Sequence, residues 1–239
     1  MFWDIFAFCA LFTSKVLFLM QFLYHPQSGI LNLELENEAF LHLKARRIKV
    51  GDKIILKNLK DFFAYTYECI EFSRRSCVLN LLDKKEEQQE LKKYLHLALA
   101  VIDPKTIEKT LPFLNELGVA KLSFVYMEYS QKNFKLDFKR MEKILIESSQ
   151  QCGRASLMEL ESFDNFKKFQ QTYENIVLID FEGEDLLSFE PSKYVFLVGA
   201  EGGFSQKERE ENIKKAKLQV DFILKAQTAL VGVASKFII

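Results

Sequence analysis

Hydrophobic positions divide the chain into a first part with a strand-like pattern and a second part in which strand-like and helical stretches alternate. In the first part, apolar or alternating runs at 54–56, 62–70 and 77–82 are separated by short clusters of turn residues. This spacing is typical of short β-strands joined by turns. Because a closed sheet pairs every strand edge, we expect a small β-barrel domain over residues 20–83.

The second part follows a charged stretch, residues 84–93, which we interpret as a linker. Asp103 and Pro104 have the pattern of a helix start, and a further helix is predicted over 138–151. Continuous apolar runs predict buried strands at 94–101, 121–127, 175–180 and 194–198. Strands that alternate with helices indicate an α/β domain with a parallel sheet, which we assign to residues 94–239.

A glycine cluster follows the last of these apolar runs. Three of the nine glycines fall within residues 199–203, and Ser205 and Glu208 have the spacing of a capping box. The order is therefore strand, glycine turn, helix. Because glycine lets a ligand approach the backbone closely, this turn is a candidate site for a planar base or an anionic group. Its spacing fits neither the dinucleotide-binding nor the phosphate-loop pattern, and a tight connection without a ligand is an equally good interpretation.

The end of the chain adds a second segment, residues 224–229, which leads into a stretch of small residues. Together the two segments resemble those of the SPOUT methyltransferases, in particular the RsmE-like family that methylates N3 of a uridine in small-subunit ribosomal RNA. Residues 199–205 resemble the family's G-P-E-G-G-F-S turn, and residues 224–229 its terminal I-L-R-x-E-T-A loop. Collinear matches, which extend the resemblance over about residues 20–239, lie at 115–119, at 151–154, at His42-Leu43, at Arg47 and at Gly51-Asp52.

The resemblance implies an α/β fold: a C-terminal SPOUT domain with a trefoil knot, preceded by a small PUA-like β-barrel domain. It also implies S-adenosyl-L-methionine as cofactor, a homodimer, and 16S ribosomal RNA or the assembled small subunit as substrate. The cytoplasmic location that we expect rests instead on the cysteines, whose spacing indicates no disulfide framework. The cofactor-binding positions that it implies are Val198, Gly199, Glu201, Gly202, Gly203, Ile223, Leu224, Lys225, Gln227 and Thr228.

Three positions depart from the family pattern. Ala200 stands where the family has proline, Lys225 where it has arginine and Gln227 where it has glutamate. Lysine keeps the charge but lacks the planar fork of arginine, whereas glutamine keeps an acceptor and loses the charge. We favour a divergent active enzyme. The alternative is a catalytically impaired RNA-binding protein of the same fold.

The overall charge does not indicate nucleic-acid binding, because the formal net charge is zero. One local segment does indicate nucleic-acid binding, because residues 42–60 contain seven lysines and arginines and a single acidic residue, Asp52. Such a segment can neutralise phosphates, or it can simply be a solvated lysine-rich face. The RNA-binding candidates within it are His42, Lys44, Arg46, Arg47 and Lys49.

The chemistry requires removal of the proton from uracil N3, and donors near the uracil oxygens would stabilise the resulting anion. Arg154 is the first candidate for this task or for a phosphate contact, and a surface salt bridge is the alternative. The sequence identifies no general base. The four cysteines form no C-x-x-C pair, so we expect neither a metal site nor a disulfide framework.

Residues 1–19 form an apolar leader, broken by Asp4 and Lys15 and long enough for a membrane helix. The leader has neither the positive start nor the cleavage site of a secretory signal. Because residues 20–24 resemble the beginning of family members, we interpret the leader as lying upstream of the working protein and expect no stable membrane association.

Overall fold

The computed structural model describes residues 21–87, 93–211 and 213–239. The described residues form two compact units. The first contains residues 21–87 together with 150–153, and the second contains the rest. The leader over residues 1–19 lies outside the described residues, as does most of the second half of the predicted linker.

The first unit is a five-stranded sheet with one helix. The strands lie in the order β1-β3-β4-β5-β2, with β1 and β3 parallel and the other pairs antiparallel. The elements are β1 (Leu23–Tyr24), β2 (Asn32–Leu35), α1 (Asn37–Ala45), β3 (Lys53–Lys57), β4 (Phe63–Phe72) and β5 (Cys77–Glu86). The strands predicted at 54–56, 62–70 and 77–82 are confirmed as β3, β4 and β5.

Two features of this unit correct the sequence analysis. Helix α1 lies where only short strands and turns were expected; Phe40 and Leu43, three residues apart, share one face of it and are buried. Strand β5 continues to Glu86, so residues 84–86 of the predicted linker are strand. Their backbones pair with residues 63–65 of β4 while their charged side chains remain exposed. Backbone pairing, which does not depend on apolar side chains, extends this strand.

The second unit is a six-stranded sheet in the order β11-β9-β10-β6-β7-β8, and every neighbouring pair is parallel. This confirms the predicted parallel α/β domain. Its elements are β6 (His96–Ala100), α2 (Pro104–Leu117), β7 (Lys121–Val125), α3 (Phe138–Cys152, whose last residues belong to the first unit), β8 (Glu159–Phe163), α4 (Phe166–Thr172), β9 (Ile176–Asp185), a 3-10 turn (Leu186–Ser188), β10 (Val195–Val198), α5 (Gln206–Glu210), β11 (Lys214–Lys217) and α6 (Ala226–Ile238).

Helix α6 holds the end of the chain against this sheet. Leu230, Val233 and Phe237 repeat at helical spacing and are buried. The Phe237 ring lies 4.7 Å from the Phe196 ring of β10, centroid to centroid. This contact holds the last turn of α6 against β10. None of the helices in the described ranges combines the length and the apolar content that crossing a bilayer requires.

Candidate functional site

The glycine turn lies at the carboxyl end of β10, where open parallel sheets generally bind ligands. The backbone N–H of Gly203 donates to the Ala200 carbonyl oxygen at 2.8 Å, which closes the turn. Gly203 has a φ of +71°, in the left-handed region that favours glycine. A Cβ on Gly199 would lie 2.9 Å from the carbonyl carbon of Gly203. The turn is therefore too tight for a side chain at position 199.

A capping box fixes the helix that follows, as its sequence spacing predicted. The Ser205 hydroxyl accepts a hydrogen bond from the Glu208 backbone N–H at 3.3 Å, and the Glu208 carboxylate accepts one from the Ser205 N–H at 2.8 Å. Glu208 is 6% exposed. The buried carboxylate thus anchors the end of the glycine turn.

A cavity of about 730 Å³ opens beside the turn. It is lined by residues 179–181 in the middle of β9, the glycine turn, the loop after β11 and the first turn of α6. This volume is within the range of small-molecule sites. A larger cavity of about 960 Å³ includes Glu208 in its lining, but its walls are rich in charged side chains and do not include the glycines. The smaller cavity is therefore the better candidate for a cofactor site.

The structure brings seven of the ten predicted cofactor residues to this cavity: Val198, Gly199, Glu201, Gly202, Gly203, Ile223 and Leu224. The other three, Lys225, Gln227 and Thr228, are not among the described residues that line it. The reason is helical geometry. Helix α6 begins at Ala226 and turns Ala226 and Ala229, three residues apart, toward the cavity.

Asp180 and Arg209 also line the cavity, and the sequence analysis missed both. The side chain of Asp180 is 2% exposed, and one of its oxygens accepts a hydrogen bond from the Phe181 N–H at 2.8 Å. The other oxygen, Oδ2, lies 3.4 Å from Nε of Arg209 and has no hydrogen-bond partner among the described residues. A position at the end of a predicted buried strand was the only sequence signal for Asp180.

Arg154 lies in a different environment from the one predicted. It is 4% exposed, so the surface salt bridge considered from the sequence is wrong. Its Nη1 donates hydrogen bonds to the carbonyl oxygens of Asn115, at 3.2 Å, and Val119, at 2.9 Å. The guanidinium therefore stabilises carbonyls at the end of α2, and it is not among the described residues that line the cavity.

The basic segment of the first unit, residues 42–60, begins on α1 and continues through the following turn and β3, and the five candidates lie on α1 and in the turn. Of the five candidates in it, Lys44, Arg47 and Lys49 are exposed, whereas His42 and Arg46 are partly buried. Burial lowers the pKa of Arg46. Lys44, Arg47 and Lys49 are therefore the residues of this segment best placed to contact phosphates. Across the described ranges, no cluster of three or more His, Cys, Asp or Glu side chains has the arrangement of a metal site.

Comparison with known proteins supplies the family. A model of the RNA methyltransferase domain matches residues 88–238. Ribosomal RNA small subunit methyltransferase E of Helicobacter pylori strain J99 is 43% identical over 224 residues, which cover 90% of this chain and 98% of that protein. The protein of the same name from Aquifex aeolicus is 26% identical over 206 residues, covering 81% and 88% of the two chains.

Solved structures share the fold. Ribosomal RNA small subunit methyltransferase E of Neisseria gonorrhoeae, bound to S-adenosyl methionine, matches 91% of this chain and 96% of its own with a TM-score of 0.75 and 19% identity. A Legionella pneumophila protein in complex with the bound cofactor SAM has the same coverage and TM-score at 23% identity. At these identities the likeness shows the fold.

Proposed function

Because this chain belongs to the RNA methyltransferase family, with ribosomal RNA small subunit methyltransferase E as its relative at 43% identity, we propose that it transfers a methyl group from S-adenosyl-L-methionine to N3 of one uridine in 16S ribosomal RNA. Membership of this family identifies the chain as an RNA methyltransferase. The observation that carries the cofactor assignment is the cavity beside the glycine turn, because seven residues implied by the family resemblance converge there.

The residues of the cavity fit the proposed cofactor. Glycine at positions 199 and 203 lets the turn close tightly, so that the main chain of the turn forms one wall of the cavity. Phe222 and Ile223 are 82% and 83% exposed, so they are available to cover an adenine ring. The buried Oδ2 of Asp180 can accept a hydrogen bond from a hydroxyl or amino group of the adenosine. When bound, the cofactor supplies a methyl group that is already activated on a sulfonium.

The protein's own contribution is alignment. The glycine turn is closed by its own hydrogen bond and anchored by Glu208, so hydrogen bonds hold the cavity wall that the target base would approach. Well-oriented reactants can gain up to roughly 7–11 kcal/mol over free reactants. Donors close to uracil O2 and O4 would favour loss of the N3 proton.

We extend the proposal to the architecture. The sheet of the first unit is proposed to be the PUA-like barrel, and its exposed cations Lys44, Arg47 and Lys49 to bind phosphates of the ribosomal RNA. His42 and Arg46 would support them from partly buried positions. The segment from β10 through α6 is proposed to form the trefoil knot of a cytoplasmic homodimer. The parallel sheet and the cavity between the turn and α6 support the placement of the knot.

The direct test is to map modified nucleotides in 16S ribosomal RNA from cells that lack this gene. We expect one N3-methyluridine to disappear and to return when the gene is restored. Calorimetric titration of the purified protein with S-adenosylmethionine distinguishes an active enzyme from the alternative function. A catalytically impaired RNA-binding protein would bind small ribosomal subunits, bind no cofactor, and leave the modification pattern unchanged when deleted.

A further inference from the structure

An exposed aromatic side chain lies directly against the glycine turn. Tyr129 follows β7 and is 51% exposed. Its Cδ2, Cγ and Cβ atoms lie 3.1, 3.4 and 3.6 Å from the position that a Cβ on Gly202 would occupy. Gly202 itself lines the proposed cofactor cavity. The tyrosine therefore packs against the main chain of the turn that lines this cavity.

Hydrogen bonds hold the Tyr129 loop in this position. The backbone N–H of Glu128 donates to Oε1 of Glu208 at 2.9 Å. The N–H of Ser130 donates to the Met127 carbonyl oxygen at 3.1 Å, which forms a turn with Tyr129 near its tip. The Ser130 hydroxyl also accepts from the Met127 N–H at 3.2 Å. The ring is thus carried by a fixed turn, although half of the residue faces solvent.

We propose that Tyr129 stacks on an unpaired base of the RNA substrate and holds that base beside the glycine turn. The inference rests on the proposed function, because it takes the turn as the place of methyl transfer. Proteins recognise unpaired RNA bases largely by stacking them on aromatic side chains. Half of Tyr129 faces solvent, where a base can reach it, and the glycine against which it packs lines the cavity.

The test uses three substitutions of Tyr129 in the full chain. Tyr129→Phe keeps the ring, Tyr129→Leu keeps an apolar side chain against Gly202 without an aromatic face, and Tyr129→Ala removes both. Stacking on one base predicts that the Leu and Ala variants bind small ribosomal subunits roughly 5- to 150-fold more weakly, whereas the Phe variant stays within about 3-fold of the parent. The KM for subunits should rise in parallel, and the affinity for S-adenosylmethionine should be unchanged in all three.

Tyr94→Ala is the matched control. Tyr94 is 48% exposed but precedes β6, at the opposite end of the parallel strands, so its removal should leave subunit binding unchanged. Parent-like subunit binding by the Leu variant would overturn the proposal, since packing alone would then explain the ring. Equal losses of cofactor affinity in the Leu and Ala variants would overturn it too. Because binding is measured without turnover, a parent protein that methylates nothing refutes the proposed function but still leaves the stacking result readable.

Discussion

The backbone N–H of Glu128 donates a hydrogen bond to Oε1 of Glu208 at 2.9 Å, across eighty residues of sequence. The other carboxylate oxygen of Glu208 accepts from the Ser205 N–H at 2.8 Å. One buried carboxylate therefore joins the loop after β7 to the end of the glycine turn. This link couples the two parts of the site that we assign to the RNA base and to the cofactor.

Glu208→Ala should destabilise the protein by about 1–3 kcal/mol, because two backbone N–H donors lose their acceptor. The destabilisation by Glu208→Gln should be smaller than that by Glu208→Ala, because the amide oxygen of glutamine can still accept a hydrogen bond from one of the two N–H groups. Urea denaturation measures both. Glu210→Ala is the control, since Glu210 is exposed and accepts a hydrogen bond from the exposed Gln206 side chain. Equal free energies of unfolding for the parent and the Glu208→Ala variant would show that the bridge contributes nothing.

The same residue shows how far the sequence predicts the site. The capping box was predictable because Ser205 and Glu208 are three residues apart, so local spacing carries the signal. The bond to Glu128 was not, because it depends on the order in which parallel strands assemble. Arg154 illustrates the same limit. The sequence motif at 151–154 identified Arg154 as a candidate functional residue. The carbonyl oxygens that accept its hydrogen bonds, however, come from the end of α2, more than thirty positions earlier in the chain.

Helix α1 was missed for a related reason. Its two buried residues, Phe40 and Leu43, give a weak helical signal within a region of strands, and only tertiary packing decides the outcome. Four strands of the second unit, β6, β7, β9 and β10, were predicted because each contains a continuous apolar run that is largely buried. Strand β8 was not predicted, because its residues are exposed or half-buried. The strand β11 was not predicted, since its sequence Lys-Lys-Ala-Lys has one buried residue.

Gly199→Ala tests the glycine turn. The added Cβ would lie 2.9 and 3.0 Å from the carbonyl carbon and oxygen of Gly203, so the turn must open. We expect the affinity for S-adenosylmethionine to fall at least ~10-fold, or ~1.4 kcal/mol. Calorimetric titration measures this. In the control Gly232→Ala, the nearest atom to the new Cβ is Leu218 Cδ1 at 3.7 Å, an ordinary contact, so affinity should not change. Tight binding by the Gly199→Ala variant would mean that the turn does not form the cofactor wall.

Asp180→Asn tests the buried acceptor. Asparagine can still accept from the Phe181 N–H, but its amide nitrogen would then replace Oδ2, which has no hydrogen bond among the described residues and lies 3.4 Å from Nε of Arg209. The variant should therefore lose cofactor affinity about as much as Asp180→Ala, roughly 10-fold, because one hydrogen bond to the ligand disappears. Both variants are also measured for thermal unfolding. Unchanged affinity in the Asn variant would show that Oδ2 does not contact the cofactor.

Replacing Lys44, Arg47 and Lys49 together by alanine tests the proposed RNA contacts. Each lost phosphate contact should reduce the slope of log K against log salt by ~0.7 for single-stranded RNA, or by ~2 for all three. Filter binding to small ribosomal subunits at several salt concentrations measures the slope. A control variant removes three exposed lysines of the second unit, at positions 135, 139 and 143. If both variants have the same slope, the basic segment contributes to RNA binding only through the overall charge of the protein and makes no specific phosphate contacts.

The last prediction concerns His96, buried at the start of β6. Its Nε2 lies 2.7 Å from Oγ of Ser123, which donates in turn to the Glu161 carboxylate. Burial lowers the pKa of His96 from 6.5 to about 4; the positive charge of Lys121 adds to the effect and Glu161 opposes it. Since the Ser123 proton goes to Glu161, the neutral imidazole donates from Nε2.

The unfolded chain therefore takes up a proton near pH 6.5, whereas the folded protein resists it until about pH 4. The contribution of His96 to the free energy of unfolding is therefore fully present above pH 6.5 and is lost as the pH falls toward 4. Between pH 7.5 and pH 5 this loss amounts to ~2 kcal/mol. Burial alone would raise the pKa of Glu161, but hydrogen bonds, first of all the one from Ser123, lower it below 4.5. The contribution of Glu161 to stability is therefore lost only at a pH below this range. His96→Gln keeps a donor for Ser123 but cannot titrate. Urea denaturation at the two pH values should show a loss of stability that is ~2 kcal/mol smaller in this variant than in the parent, and identical losses would exclude His96 as the source.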